Sequence, residues 1–182
     1  MKKLLFAVLF LTFVSVQAGY TYDWYAGTSL GLNSSSIDSD NSTFDFSVSP
    51  EIGYIFNDSF DAGLGFIFSS SEEKTGGVSD DSTTFGIVPF VRYAAFRSGK
   101  FTLFARAQIG YFSTDYSAGD DETTIAVGFS PVVEYALSDR ITLFTSFLAL
   151  EFSKTDAGDD STTYFGLNGD MNDLAIGFAV SF

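Results

Sequence analysis

The stretch TTIAVGFSPVVEYAL, from Thr123 to Leu137, alternates with period two. Ile125, Val127, Phe129, Pro131, Val133, Tyr135 and Leu137 fall on one face, and Thr124, Ala126, Gly128, Ser130 and Glu134 fall on the other. Alternation sustained over this length is the pattern of a β-strand with two unlike faces. The apolar face is bulky and partly aromatic, and the opposite face is mostly small. Which of the two turns inward decides what kind of protein this is.

The pattern recurs along the chain. Phe44, Phe46, Val48, Pro50, Ile52, Tyr54 and Phe56 oppose Asp45, Ser47, Ser49, Glu51, Gly53 and Ile55. Phe85, Ile87, Pro89, Val91, Tyr93 and Ala95 oppose a face holding Gly86 and Arg92. At the end, Leu174, Ile176, Phe178, Val180 and Phe182 oppose Ala175, Gly177, Ala179 and Ser181. Segments from Trp24 to Asn33, Ser59 to Ser69, Lys100 to Phe112 and Arg140 to Phe152 supply the partners, for eight strands in all. The last of these is apolar on both faces, so its orientation stays open. Pro50, Pro89 and Pro131 sit mid-strand without an N–H to donate, and a local bulge is the expected accommodation.

Related acidic phrases, SDNST, SDDSTT, GDDETT and GDDSTT, place Asp40, Asp80, Asp120 and Asp159 at intervals of 40, 40 and 39 residues. Each phrase falls near the end of a longer stretch rich in Ser, Asp, Gly and Thr (roughly 34–42, 70–82, 113–122 and 153–163), which reads as a loop. Short turns lie between them, at Asn57-Asp58, Arg97 to Gly99 and Ser138-Asp139. One repeat is therefore a hairpin of two strands. Propeller blades share this period but need four strands each, and their Gly-His and Trp-Asp signature is missing.

Eight strands close into a barrel whose narrow interior only side chains can fill. A lining of Phe, Ile and Val from every strand would overfill it, whereas Gly, Ser and a few ion pairs fit. The bulky face is therefore expected to point outward into lipid, as in transmembrane barrels with long loops at one end and short turns at the other. Closure also removes the sheet edges that lipid does not tolerate. Trp24, Tyr54, Phe56, Phe60, Tyr93, Phe96, Phe101, Tyr135 and Phe182 gather near the short-turn ends, which predicts one interfacial girdle.

The amino terminus agrees with export. Met1-Lys2-Lys3 is basic, Leu4 to Val14 is apolar but too short for a membrane helix, and Val16-Gln17-Ala18 is a small-residue cleavage pattern. Residues 1–18 are read as a signal peptide cut after Ala18, and residues 19–182 as the barrel. The formal net charge of −14 disfavours nucleic acid. With no Cys and no His among 182 residues, the usual nucleophile and base pairs cannot be assembled, and no cofactor is expected.

WYAGTSLG, from Trp24 to Gly31, resembles the opening strand of the OmpA-type transmembrane domain; SPVVEYAL, from Ser130 to Leu137, resembles its sixth strand; and PFVRY, from Pro89 to Tyr93, is similar to small barrels of the porin-like superfamily. The closing GFAVSF resembles the C-terminal signal read by the barrel assembly machinery, carried by Gly177, Phe178, Val180 and Phe182. The resemblance implies an all-β, eight-stranded antiparallel up-and-down barrel, monomeric, in the outer membrane of a Gram-negative cell. Some members carry a peptidoglycan-binding domain after the barrel, which is not expected here. The family also uses an interior Glu with basic partners as a gate; Glu134 matches that Glu, while Phe144 lies near the place of the strand-seven base.

Two sets of residues are candidates for function. Glu51, Arg92, Arg106 and Glu134 all point inward by alternation, and a lone buried charge is costly enough that they are expected to pair. Asp40, Asp80, Asp81, Asp120, Asp121, Asp159 and Asp160 are expected to form an acidic rim beside anionic lipopolysaccharide. The rim lacks the ligand spacing of a calcium loop, so no defined metal site is expected, only diffuse divalent attraction. The functional expectation is a structural or surface-interaction protein without catalysis and with an unknown extracellular ligand. A low-conductance pore gated by the interior ion pairs is the first alternative. A secreted, soluble lipocalin-like barrel is the second.

Overall fold

The computed structural model describes residues 23–38, 41–75, 78–117, 120–146, 149–168 and 175–182. The expected signal peptide and Asp40 lie outside these residues. Ten strand segments are present: β1 (Trp24–Asp38), β2 (Asn41–Asn57), β3 (Phe60–Thr75), β4 (Val78–Ser98), β5 (Phe101–Tyr116), β6 (Glu122–Ala136), β7 (Ile141–Ser146), β8 (Ala149–Ala157), β9 (Asp160–Asn168) and β10 (Ala175–Ser181). Strands β1 to β6 pair antiparallel in chain order. Both β7 and β8 pair with β6, β10 pairs with β7, and β9 pairs with β8. Finally β10 returns to β1, from Tyr25↔Ser181 to Leu30↔Ile176. The hydrogen-bonded ring thus has eight positions, the seventh shared by β7 and β8 and the eighth by β9 and β10. At the seam, Trp24 N–H donates to Phe182 O at 3.2 Å and Phe182 N–H donates to Trp24 O at 2.8 Å.

Bulky residues point out of the ring. Val127 and Phe129 on β6 are 50% and 51% exposed, and Leu30, Ile52, Phe68, Phe85, Ile109 and Phe152 are exposed likewise. No soluble barrel turns its large apolar side chains to water on every strand, so the lipocalin-like alternative is set aside. On β2 the band runs ten steps, from Phe44 to Tyr54. At a rise of ~3.3 Å and a tilt of ~40° it stands ~25 Å tall, the height of a bilayer-facing band. At the short-turn end, Trp24, Tyr54, Phe56 and Phe60 form a chain of ring contacts with centroids 5.0, 5.0 and 5.6 Å apart. The expected girdle is present there.

Three expectations need correction. The long Ser/Asp/Thr-rich stretches are mostly not loops but strand. Pairing continues to Asp38↔Asn41, Thr75↔Val78 and Ala157↔Asp160, which carries the hairpins well past the apolar band. The β8–β9 turn is only Gly158-Asp159, and Gly158 takes φ 55°, a left-handed conformation that glycine supplies without steric cost. A strand wet on both faces has the composition of a loop, which is why the sequence misleads.

The prolines do not need bulges at Pro50 and Pro89. The register of β2 against β3 is the same before Ser49 and after Pro50, and that of β4 against β5 is the same before Val88 and after Pro89. Pairing lapses locally and resumes in step. At Pro131 the register does change: Phe129↔Leu150 and Val132↔Ser146 leave two residues on β6 against three on the other side.

The third correction concerns the lumen. The inward face also holds Tyr25, Val88, Phe90, Phe104, Val132 and Phe144, all buried. They fit because rings lie over glycines of neighbouring strands: Tyr25 over Gly53, Phe90 over Gly63, and Phe144 over Gly177. This also settles the open segment, in which Phe144 and Glu151 face inward while Ile141, Leu143, Leu150 and Phe152 face lipid.

Glycine positions should therefore differ in tolerance. A Cβ at Gly63 would press on Ile52 O and the Phe90 ring and lie 3.0 Å from Gly53 Cα, whereas at Gly65 the nearest atom is Val88 O at 3.5 Å. Gly63→Ala should cost ~1–3 kcal/mol by overpacking, and Gly65→Ala should stay within about 0.5 kcal/mol of wild type. Urea titration of the folded, heat-modifiable gel band measures both.

Candidate functional site

Alternation aims Glu51 on β2, Arg92 on β4, Arg106 on β5 and Glu134 on β6 into the same lumen, and the structure brings all four together. Arg92 is 4% exposed and bonds two carboxylates at once. Its Nε donates to Asp61 Oδ1 at 2.8 Å and its Nη1 donates to Glu134 Oε1 at 2.6 Å. Arg106 Nη1 donates to Glu51 Oε2 at 3.0 Å. Charge-assisted bonds of this kind are the strong ones, and in a buried site they offset the loss of hydration.

Aromatic rings hold the guanidinium groups in place. The Arg92 Cζ lies 4.7 Å from the ring centroids of both Tyr25 and Phe104, and the Arg106 Cζ lies 3.9 Å from that of Phe90. Desolvated cation–π contacts reach about 2 kcal/mol. Arg92 and Arg106 are direct register partners, so two like charges would face each other across β4 and β5. They avoid this by reaching for different carboxylates. Arg106 passes near Gly65, where a Cβ would stand 3.8 Å from Nη2, an ordinary contact. Among the described residues, Glu51 Oε1 and Arg106 Nε are buried without a partner.

Asp61 was not foreseen. It is the first inward position of β3, opposite Arg92 in register, and it also accepts a bond from Tyr25 Oη at 3.2 Å. The alternation Asp61, Gly63, Gly65 held the signal. Phe144 does sit opposite Glu134, as its place in the sequence indicates, so the base for Glu134 comes across the lumen from β4 instead. The network lies between two cavities. On the short-turn side of it is a cavity of about 200 Å³ reaching Arg97 and Lys100, and on the hairpin side one of about 290 Å³ reaching Thr114 and Thr124.

The acidic rim is partly assembled. Asp80 and Asp81 lie on β4, where Ser117 Oγ donates to Asp80 Oδ1 at 2.9 Å and accepts from Asp81 N–H at 2.9 Å. Asp120 lies against the β8–β9 turn, its Oδ2 3.0 Å from where a Cβ on Gly158 would stand. Three hairpin ends thus meet, and Asp121, Asp159 and Asp160 are exposed nearby in the chain. Across the β3–β4 hairpin, Glu72 faces Asp81 and Glu73 faces Asp80, so like charges oppose each other. Among the described residues no three carboxylates converge as a metal site. At the carboxyl end, Gly177 is buried beneath Phe144, Phe178 and Val180 are half-buried on the outward face, and Phe182 closes the seam.

Removing one member of the plug should cost more than neutralising it whole. Arg92→Met alone strands Asp61 and Glu134 in the lumen and should destabilise by ~3–5 kcal/mol. Combining it with Asp61→Asn and Glu134→Gln should recover most of that loss. Equilibrium unfolding in urea of the single and triple variants makes the comparison; a triple variant as unstable as the single one would contradict this account.

Several solved structures are similar to this chain. The Neisserial surface protein A crystal structure is 21% identical, with a TM-score of 0.50 over 87% of this chain and 96% of that one. The Yersinia pestis outer membrane protein Ail, determined in a phospholipid bilayer nanodisc, is 8% identical with a TM-score of 0.43, covering 88% of this chain and 99% of its own. The N-terminal β-barrel domain of Pseudomonas aeruginosa OprF is 10% identical with a TM-score of 0.41, covering 88% and 98%. No curated protein matches by sequence. The family described as the outer membrane protein beta-barrel domain matches residues 4–182. With a closed ring, a lipid-facing apolar band and a family match over nearly its whole length, the chain belongs to the outer membrane protein beta-barrel domain family, the small barrels of the Gram-negative envelope.

Proposed function

We propose that the protein acts as a sealed, non-catalytic barrel that presents its long hairpins at the cell surface, in a structural or surface-interaction role. The observation that carries this reading is the plug. Arg92 joins Asp61 and Glu134 in a single buried cluster flanked by packed rings, which supports a closed lumen. Beyond the plug, the hairpins extend past the apolar band and contact one another at Ser117 and Gly158. Their acidic ends repel lipopolysaccharide phosphates directly, so contact with that surface runs through divalent cations, or else the partner is itself cationic. The protein is monomeric in this reading. Its signal peptide is removed after Ala18, and the assembly machinery reads Gly177, Phe178, Val180 and Phe182. Catalysis is disfavoured by the absence of His and Cys from the whole sequence.

A narrow pore is the second reading. The favouring observation is the pair of cavities on either side of the plug, so that the rearrangement a path requires is confined to the side chains between them.

Planar-bilayer recordings distinguish the two. The purified wild type should give no resolvable channel events, whereas Glu134→Ala, which frees one arm of Arg92, should give small ones. Steady wild-type conductance would replace the sealed-barrel reading with the pore. Mass spectrometry of the membrane-extracted protein should find Gly19 as its first residue, and an amino terminus at Met1 would remove the signal peptide from the account.

A further inference from the structure

The hairpin-side cavity has chemistry that neither the plug nor the fold requires. Glu151 on β8 turns its carboxylate into it, and among the described residues that carboxylate has no hydrogen bond or ion pair. The lining contains no Lys or Arg. A carboxylate facing a cavity without a counter-ion selects a cation. The volume of about 290 Å³ equals that of roughly ten waters at ~30 Å³ each, which is far more than a bare ion fills. That space is large enough for a small organic cation.

The remaining lining says what kind of body. Thr84 and Thr114 share one hydrogen bond at 2.8 Å, and Thr124 shares another at 2.8 Å with Thr155, which lies outside the lining. In each pair one hydroxyl spends its proton on the other, which leaves one O–H donor and several lone pairs free. Gln108, close to Gly128, adds an amide with both donor and acceptor ends. The wall thus offers donors and acceptors together, which suits hydroxyl groups. Phe112 supplies a flat surface. Opposite edges of its ring lie over Gly86 and Gly110, so the ring runs along the wall and turns one face to the cavity.

We propose that this cavity is a binding site for a small, single-ring hydroxylated ammonium compound, of which an amino sugar is the simplest member. The ammonium pairs with Glu151, the hydroxyls bond to Gln108 and the threonines, and the ring packs on Phe112. Arg106 and Glu51, paired at 3.0 Å, lie on the barrel side of the site.

The test is an NMR titration of the isotope-labelled full barrel in polyoxyethylene detergent, which carries neither sugar nor ammonium. Glucosamine should shift the amides of Gly110, Ala126 and Gly128, while glucose and N-acetylglucosamine, which lack the ammonium, should bind at least ~10-fold more weakly. Glu151→Gln, nearly isosteric, should weaken glucosamine to the level of glucose. Gly128→Leu should fill the cavity and abolish the shifts; if that variant does not fold, Glu151→Gln and the ligand series decide alone. Equal binding of glucose and glucosamine, an unaffected Glu151→Gln, or shifts confined to the exposed hairpins would overturn the proposal, as would no shift at all.

Discussion

Closure of the sheet is the constraint on which everything else depends. In lipid an unpaired N–H or C=O costs several kcal/mol, so a lipid-embedded sheet must end where it began. Here that requirement is met by the pairing of β10 with β1 and by the reciprocal bonds of Trp24 and Phe182. Ring size follows from the number of hairpins, and with eight positions the lumen is too narrow to hold water along its whole length. The inner face therefore has to be a solid.

How that solid is built explains the glycines. Three large inward rings occupy vacancies on neighbouring strands: Gly53, Gly63 and Gly177 supply them for Tyr25, Phe90 and Phe144. The same layer holds the charges. Arg92 and Arg106 could not be buried on an apolar lining alone, yet rings above and carboxylates beside them make the site tolerable. The arrangement is interlocked: Arg106 stacks on Phe90, and Phe90 occupies the space left by Gly63. A change at one level of the lumen is felt at the next.

Much of this was legible in the sequence, and the rest was obscured for identifiable reasons. The alternation of Ile125, Val127 and Phe129 against Ala126 and Gly128 gave the strands, their number and the outward bulky face. Alternation also placed Glu51, Arg92, Arg106 and Glu134 in one lumen, and their opposite signs implied pairing. Asp61 escaped because it directly follows a turn, where an acidic residue is equally at home in water. Glu151 escaped because its segment is apolar on both faces, so no parity stood out. The ring-over-glycine contacts join residues on different strands, and no pattern within one strand reveals them. At the hairpin ends, Ser, Thr and Asp on both faces describe a solvated strand as well as a loop.

That ambiguity has a physical side. A strand that leaves the membrane loses the lipid that ordered one face and the lumen that ordered the other. Only cross-strand pairs remain to hold it, and on β3 and β4 those pairs include Glu72 with Asp81 and Glu73 with Asp80. The hairpin is held by its backbone ladder and by Ser117, which ties Asp80 and Asp81 to the neighbouring loop. Such an end stands on its ladder although like charges oppose each other across it, with Glu72 also held by Lys74 at 3.3 Å. The barrel beneath is rigid by necessity, because its plug and seam admit few alternatives. The hairpins are therefore held chiefly by backbone pairing, because the packing that fixes the rest of the molecule has run out.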